Sequence, residues 1–179
     1  MAKKENILPL VYTIKERCRI CYTCVRECPA KAIKIGGGQA EVMPNRCIGC
    51  GNCVKVCSQD AKQYFRSIDK VMDLIQSDKN VIACIAPSFP AEFMEYEDYK
   101  TLVGMIRNIG FSSVHEVAFG ADIVALKYKN ILEKEKLSNY ISSDCPAVVT
   151  YIEKYSPDLV KNLIPIVSPM EATARVLKE

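Results

Sequence analysis

Cys18-Arg19-Ile20-Cys21-Tyr22-Thr23-Cys24-Val25-Arg26-Glu27-Cys28-Pro29 is followed 29 residues later by Cys47-Ile48-Gly49-Cys50-Gly51-Asn52-Cys53-Val54-Lys55-Val56-Cys57, and the two stretches decide how the first third of the chain folds. Both have the spacing C-x2-C-x2-C-x3-C. The likeness runs past the cysteines, since Val25 aligns with Val54, Arg26 with Lys55 and Ala32 with Ala61, which marks a duplicated unit. Three thiolates two residues apart wrap one face of an iron-sulfur cubane, and the fourth, beyond a longer gap, reaches the neighbouring cluster. The spacing therefore predicts two 4Fe-4S clusters with crossed ligation. Cluster one takes Cys18, Cys21, Cys24 and Cys57; cluster two takes Cys47, Cys50, Cys53 and Cys28. Zinc is the competing reading of paired C-x2-C motifs, but it needs only four ligands, whereas two complete runs of four are present, the first closed by Pro29.

Eight of the ten cysteines lie between Cys18 and Cys57, so the remaining two-thirds of the chain holds only Cys84 and Cys145. That clustering places a boundary near Gln63 to Ser67, with residues 1–65 and 66–179 as the expected domains. Without a recognisable signal peptide a disulfide framework is not expected, because reducing cytosol keeps thiols free, and the dense cysteines are expected to bind metal. The net charge is +3 with Lys and Arg scattered, so the charges read as solvated surface and nucleic acid is not an expected partner. No stretch approaches the roughly 20 apolar residues of a membrane span, and only a short apolar run, Ile7 to Tyr12, follows the polar start. The expectation is a cytoplasmic protein that does not engage a membrane, from an anaerobic host, with a homo-oligomer left open.

Ala32 to Ile35 and Gln39 to Val42 alternate around Gly36-Gly37-Gly38, which predicts a hairpin. No helix signal follows these glycines directly, so they are turn chemistry rather than a phosphate cradle. Beyond Ser67, helical and extended patterns alternate. Ile68, Val71, Met72 and Ile75 predict a helix capped by Ser67, and Val81 to Ala86, ended by Pro87, predicts a strand buried on both faces. Leu102, Met105, Ile106 and Ile109 predict a helix ended by Gly110; Val114 to Ala118 a strand; Val124, Tyr128, Ile131 and Leu132 a helix; Tyr140 to Ser143 a third strand; and Pro146 the start of another helix. Ser168-Pro169-Met170-Glu171 is a capping box opening a last helix with an apolar face. Strand and helix alternation argues for a parallel α/β sheet, thin at three strands and completed by further sequence or by a partner. The predicted fold class is an α+β ferredoxin-like two-cluster domain followed by a partial α/β domain with a small parallel sheet.

Residues 1–65 resemble a bacterial two-cluster ferredoxin, with Ser58 standing where that family usually repeats the proline. At Ile85-Ala86-Pro87-Ser88, at Leu102-Val103-Gly104 through Phe119-Gly120-Ala121-Asp122, at Ser142-Ser143-Asp144-Cys145-Pro146 and through Ser168-Pro169-Met170, the chain resembles FeFe hydrogenase. Ser142 to Pro146 is similar to that family's first active-site signature, usually Thr-Ser-Cys-Cys-Pro. The resemblance implies that Cys145 takes the place of a cubane ligand of the H-cluster. Asp144 stands where the family has a proton-relaying cysteine, and Val148 where it has a tryptophan. These departures are similar to the sensory branch of the family. The second and third signatures do not occur in this sequence, so a third cluster at Cys145 is expected only if other ligands are supplied.

Other residues carry weaker signals. Cys145, just before Pro146, sits at a predicted helix N-terminus and reads either as a reactive, metal-ligating thiolate or as a buried inert thiol. Asp144 reads as a proton relay or as a helix cap. Cys84 is expected as a small core residue, His115 as a strand filler, and Tyr22 as a shield of cluster one from water. Three functions follow in order: an electron-transfer module serving a redox protein partner or a remaining hydrogenase-like chain; a redox or hydrogen sensor; and a purely structural role for the α/β part.

Overall fold

The structure is a computed structural model that describes residues 10–93, 98–134 and 139–178. It consists of helices and short strands, the strands forming three two-stranded sheets, one of them parallel. Two compact units emerge. One takes the chain up to Arg66 together with Pro146–Lys161, the other Ser67–Cys145 together with the chain from Asn162 onward. The sequence reading places all of 66–179 in one domain, so the grouping of Pro146–Lys161 with the cysteine-rich unit is a difference that only long-range contacts reveal.

In the first unit, β1 (Val11–Thr13), α1 (Thr23–Arg26), β2 (Ile33–Gly36), β3 (Gln39–Val42), α2 (Asn52–Lys55) and β4 (Lys62–Tyr64) follow in chain order. β2 and β3 form the expected antiparallel hairpin, with Lys34 opposite Glu41 and their charges 3.3 Å apart. Gly37 and Gly38 have φ of 55° and 76°, the left-handed pair that a tight two-residue turn between twisted strands requires. β1 pairs antiparallel with β4, placing Thr13 opposite Lys62. The two single-turn helices start 29 residues apart, at Thr23 and Asn52, so the duplication seen in the sequence is repeated in the backbone. The core of this unit is made of Cys24, Cys28, Ala30, Ala32, Ile33 and Ala40.

The second unit contains α3 (Ile68–Ile75), β5 (Ile82–Ile85), α4 (Phe89–Glu92), α5 (Tyr99–Ile109), β6 (Ser113–Glu116) and α6 (Val117–Lys134). α7 (Pro146–Tyr155) belongs to the first unit, and α8 (Pro169–Val176) returns to the second. β5 and β6 are parallel, with α5 between them in sequence, which is the βαβ arrangement that the alternating pattern predicts.

Three expectations are corrected. Val117 and Ala118 open α6 rather than extending the strand. Tyr140 to Ser143 is not a strand: only a single parallel bridge links Ile141 to Leu163, because Ser142 and Ser143 turn their hydroxyls to side-chain and loop partners. β5 is half-buried rather than buried on both faces, and Cys84 on it is exposed instead of lying in a core, since a two-stranded sheet leaves much of its surface uncovered. For the same reason the apolar side chains Ile68, Met72 and Ile109 stay exposed although their helices have the predicted periodicity.

The tightest packing in the second unit joins α6 to α8. Ser168 caps α8, its Oγ accepting from Glu171 N at 3.3 Å, as the capping box predicts. Gly120 on α6 lets the helices approach closely: a Cβ there would collide with the Pro169 carbonyl oxygen and Thr173 Oγ1. Gly104 on α5 faces open space. Gly120→Ala is therefore expected to destabilise the protein by about 1–3 kcal/mol through overpacking. Gly104→Ala gains about 0.5–1 kcal/mol from improved helix propensity, and urea denaturation of the two variants against the parent checks both signs.

Candidate iron-sulfur site

The cysteine runs fold into two recesses in the first unit. One is lined by Cys18, Cys21, Cys24 and Cys57; the other by Cys28, Cys47, Cys50 and Cys53. Each quartet draws three thiols from one run and the fourth from the other.

The local geometry that shapes these recesses is also repeated. Ile20, Tyr22 and Lys31 have φ of 52°, 62° and 46°, and the residues 29 positions later, Gly49, Gly51 and Asp60, have 71°, 75° and 51°. These left-handed residues let the chain turn between ligand positions so that successive thiols face one space. The N–H of Ala32 points to Cys28 Sγ at 3.2 Å, the N–H of Ala61 to Cys57 Sγ at 3.3 Å, and that of Gly49 to Cys47 Sγ at 3.4 Å. Such N–H donors stabilise a ligating thiolate and, through it, tune an iron-sulfur cluster. Among the described residues no three His, Cys, Asp or Glu side chains converge tightly enough to hold a single metal ion. Thiols spread around a recess suit a multi-atom cluster rather than one zinc ion.

Exposure divides the quartets in the same way: Cys21 and Cys50 are exposed, whereas Cys24 and Cys28 are buried. The Thr23 hydroxyl, 3.4 Å from Cys21 Sγ, together with the Thr23 backbone, holds the Cys21 thiol below its ordinary range. Burial pushes the Cys24 thiol up, and pushes Cys53 up to about 11, with Lys62 opposing the shift in both cases. Tyr22 lines the first recess but leaves half of its surface to solvent.

Two features escape sequence reasoning. Lys62 is only 1% exposed, which overturns the expectation that all charges sit on solvated surface. Its Nζ donates to Thr13 Oγ1 at 2.6 Å and to the Ala40 carbonyl at 2.5 Å. α7 is held to the cysteine loops by its last two residues. Lys154 Nζ donates to the carbonyls of Cys47 at 2.8 Å and Pro44 at 3.3 Å, while the Tyr155 hydroxyl lies 2.8 Å from the carbonyls of both Ala30 and Arg46. A buried strand lysine and a distant helix leave no local pattern that would have found them.

In the second unit, Asp144 is exposed and organised. Ser142 Oγ donates to its Oδ2 at 2.8 Å and the Tyr128 hydroxyl to its Oδ1 at 3.2 Å, while Ser143 N donates to Tyr128 Oη at 3.1 Å. Cys145 is exposed, which sets aside the buried-thiol reading. His115 Nε2 lies 3.0 Å from Ser113 Oγ within β6.

Residues 10–58 match the 4Fe-4S dicluster domain, which makes this an iron-sulfur protein. Residues 79–179, more than half of the chain, match the iron only hydrogenase large subunit, C-terminal domain. The chain belongs to the iron-only hydrogenase family. Cytosolic Fe-S cluster assembly factor NAR1 of Yarrowia lipolytica is 25% identical over 169 residues, covering 84% of this chain and 34% of that protein. Iron hydrogenase 1 of Clostridium pasteurianum is 28% identical over 116 residues, 58% of this chain and 20% of that one. A ferredoxin of Saccharopolyspora erythraea is 35% identical over 57 residues, 31% of this chain and 54% of that one. This member of the hydrogenase family thus spans about a third of the length of its Yarrowia relative. No helix among the described residues is long and apolar enough to cross a membrane.

Thiol reactivity of the cluster-free protein follows from these environments, because alkylation tracks the thiolate fraction and access. The Thr23 contacts lower the Cys21 pKa and so raise its thiolate fraction above that of an ordinary thiol, whereas burial pushes Cys53 up to about 11 and lowers its fraction. Pulsed iodoacetamide labelling at pH 7, read by peptide mass spectrometry, is expected to modify Cys21 before Cys24 and Cys53. Thr23→Val should slow labelling at Cys21 several-fold and leave the other two unchanged.

Proposed function

We propose that this chain is an electron-transfer module with two 4Fe-4S clusters, one on Cys18, Cys21, Cys24 and Cys57, the other on Cys28, Cys47, Cys50 and Cys53. The observation that carries this reading is the pair of recesses, each closed by three thiols of one run and one of the other. Crossed quartets tie the two sites into one small unit, so that an electron accepted at one passes readily to the other. Exposed Cys21 and Cys50 bring an edge of each site to the surface, where a one-electron redox protein partner docks and exchanges a single electron. The other end of the path is the hydrogenase-like part, in this chain or continued in another.

A second reading, a redox or hydrogen sensor, is favoured by Asp144. Its carboxylate is held by Ser142 and Tyr128 at the position where the resemblance implies a proton-relaying cysteine, beside Cys145. In that reading Cys145 contributes to a third cluster whose other ligands lie outside this sequence.

The test is anaerobic purification and reconstitution with iron and sulfide, followed by iron and acid-labile sulfide analysis and EPR of the reduced protein. About eight irons in two spin-coupled cubanes, unchanged in Cys145→Ala, is the expected result. About twelve irons when the chain is reconstituted together with the hydrogenase-like sequence that supplies the other ligands, falling to about eight in Cys145→Ala, would instead establish the sensor-type third cluster. Zinc without sulfide would overturn both readings. Delivery of the bound clusters to an apo-protein acceptor would favour the assembly role named in the Yarrowia relative.

A further inference from the structure

Among the described residues Lys62 is the most deeply buried charge in the cysteine-rich unit, and its hydrogen-bond partners do not neutralise it. Its two oxygen partners, Thr13 Oγ1 and the Ala40 carbonyl, are uncharged, and Thr13 Oγ1 itself donates to the same carbonyl at 2.6 Å. Among the described residues no carboxylate lies within ion-pair distance of it. A buried cation without a counter-charge is unfavourable enough that proteins rarely keep one except where an anion meets it. Lys62 also lines the recess formed by Cys18, Cys21, Cys24 and Cys57. Its acceptor Ala40 belongs to the same buried core as Cys24 and Cys28, one thiol from each quartet, so the ammonium lies against both.

We propose that Lys62 is a shared internal counter-charge for the two clusters, a positioning residue that raises both reduction potentials by stabilising the extra negative charge each cluster takes on with its electron. The inference rests on the electron-transfer reading above. A cubane held by four thiolates is anionic, and one-electron reduction adds one more negative charge. A fixed cation therefore favours the reduced form over the oxidised form at each site. Because Lys62 is fixed by three strands, through Thr13 on β1, Ala40 on β3 and its own place on β4, its charge is held at constant positions relative to both quartets. At an effective dielectric of about 20, a unit charge roughly 10 Å away displaces a one-electron equilibrium by about an order of magnitude. The N–H donors of Ala32 and Ala61 to Cys28 and Cys57 are an equivalent pair, one for each half of the duplication. Lys62 has no such twin: the position 29 residues earlier is Ile33, so one cation serves both halves.

The alternative is that Lys62 is only a hydrogen-bonding staple between strands. The experiment is an EPR-monitored redox titration of the full-length, reconstituted protein and of its Lys62→Met, Lys62→Gln and Lys62→Arg variants, with iron and sulfide measured on each. At the poise that half-reduces the parent, Lys62→Met and Lys62→Gln are expected to show a reduced-to-oxidised ratio about tenfold lower at both clusters, equivalent to about 59 mV for a one-electron couple. Lys62→Arg, which keeps the charge, should stay within about twofold of the parent. If Lys62→Met does not fold, the Gln and Arg pair decides the matter. Unmoved potentials in Lys62→Gln, or an equal drop in Lys62→Gln and Lys62→Arg, would overturn the inference while leaving the electron-transfer reading intact. A parent protein without two cubanes would remove the electron-transfer reading and this inference with it.

Discussion

The cysteine-rich unit is organised around a core that its own side chains do not fill. What it buries is mainly thiol and alanine: Cys24, Cys28, Ala30, Ala32, Ala40 and Ala61, with Val11, Ile33 and Ile152 as the larger apolar members. The large aliphatic and aromatic side chains that fill most cores are few here. The alanines are small because the space beside them belongs to the recesses, and the single-turn helices α1 and α2 are short because they only swing one thiol after another toward that space.

Much of this was legible because it is local. Cysteine spacing, Gly37-Gly38 and Ser168-Pro169 each act within a few residues, and their reading predicts ligand loops, a hairpin and a helix start where the structure has them. What was not legible depends on partners far away in sequence. Lys62 is buried through β1 and β3, and its oxygen partners Thr13 and Ala40 lie 49 and 22 residues distant. The run Val81 to Ala86 has the composition of a fully buried strand, but only β6 pairs with β5, so Cys84 faces solvent. Tyr140 to Ser143 looks extended, yet Ser143 Oγ donates to the Ile166 carbonyl at 2.7 Å and Ser142 serves Asp144, leaving one bridge where a ladder was expected. In each case tertiary context outweighed local composition.

The place of α7 has a similar cause. Tight cysteine loops leave carbonyls that cannot all be satisfied within the loops, and a backbone acceptor without a donor is costly once water is displaced. Lys154 and Tyr155 supply donors to the carbonyls of Ala30, Pro44, Arg46 and Cys47. The cluster-bearing unit is therefore discontinuous in sequence. A helix that begins immediately after Cys145 in sequence completes the surroundings of Cys47.

The two halves of the duplication share a backbone path but not its cost. At the second run the left-handed turns fall on Gly49 and Gly51, which adopt them freely; at the first they fall on Ile20 and Tyr22, where a β-branched and an aromatic side chain resist them. One shape is thus present twice, relaxed at the second run and strained at the first, so the first loop is the one whose path the surrounding packing has to hold in place.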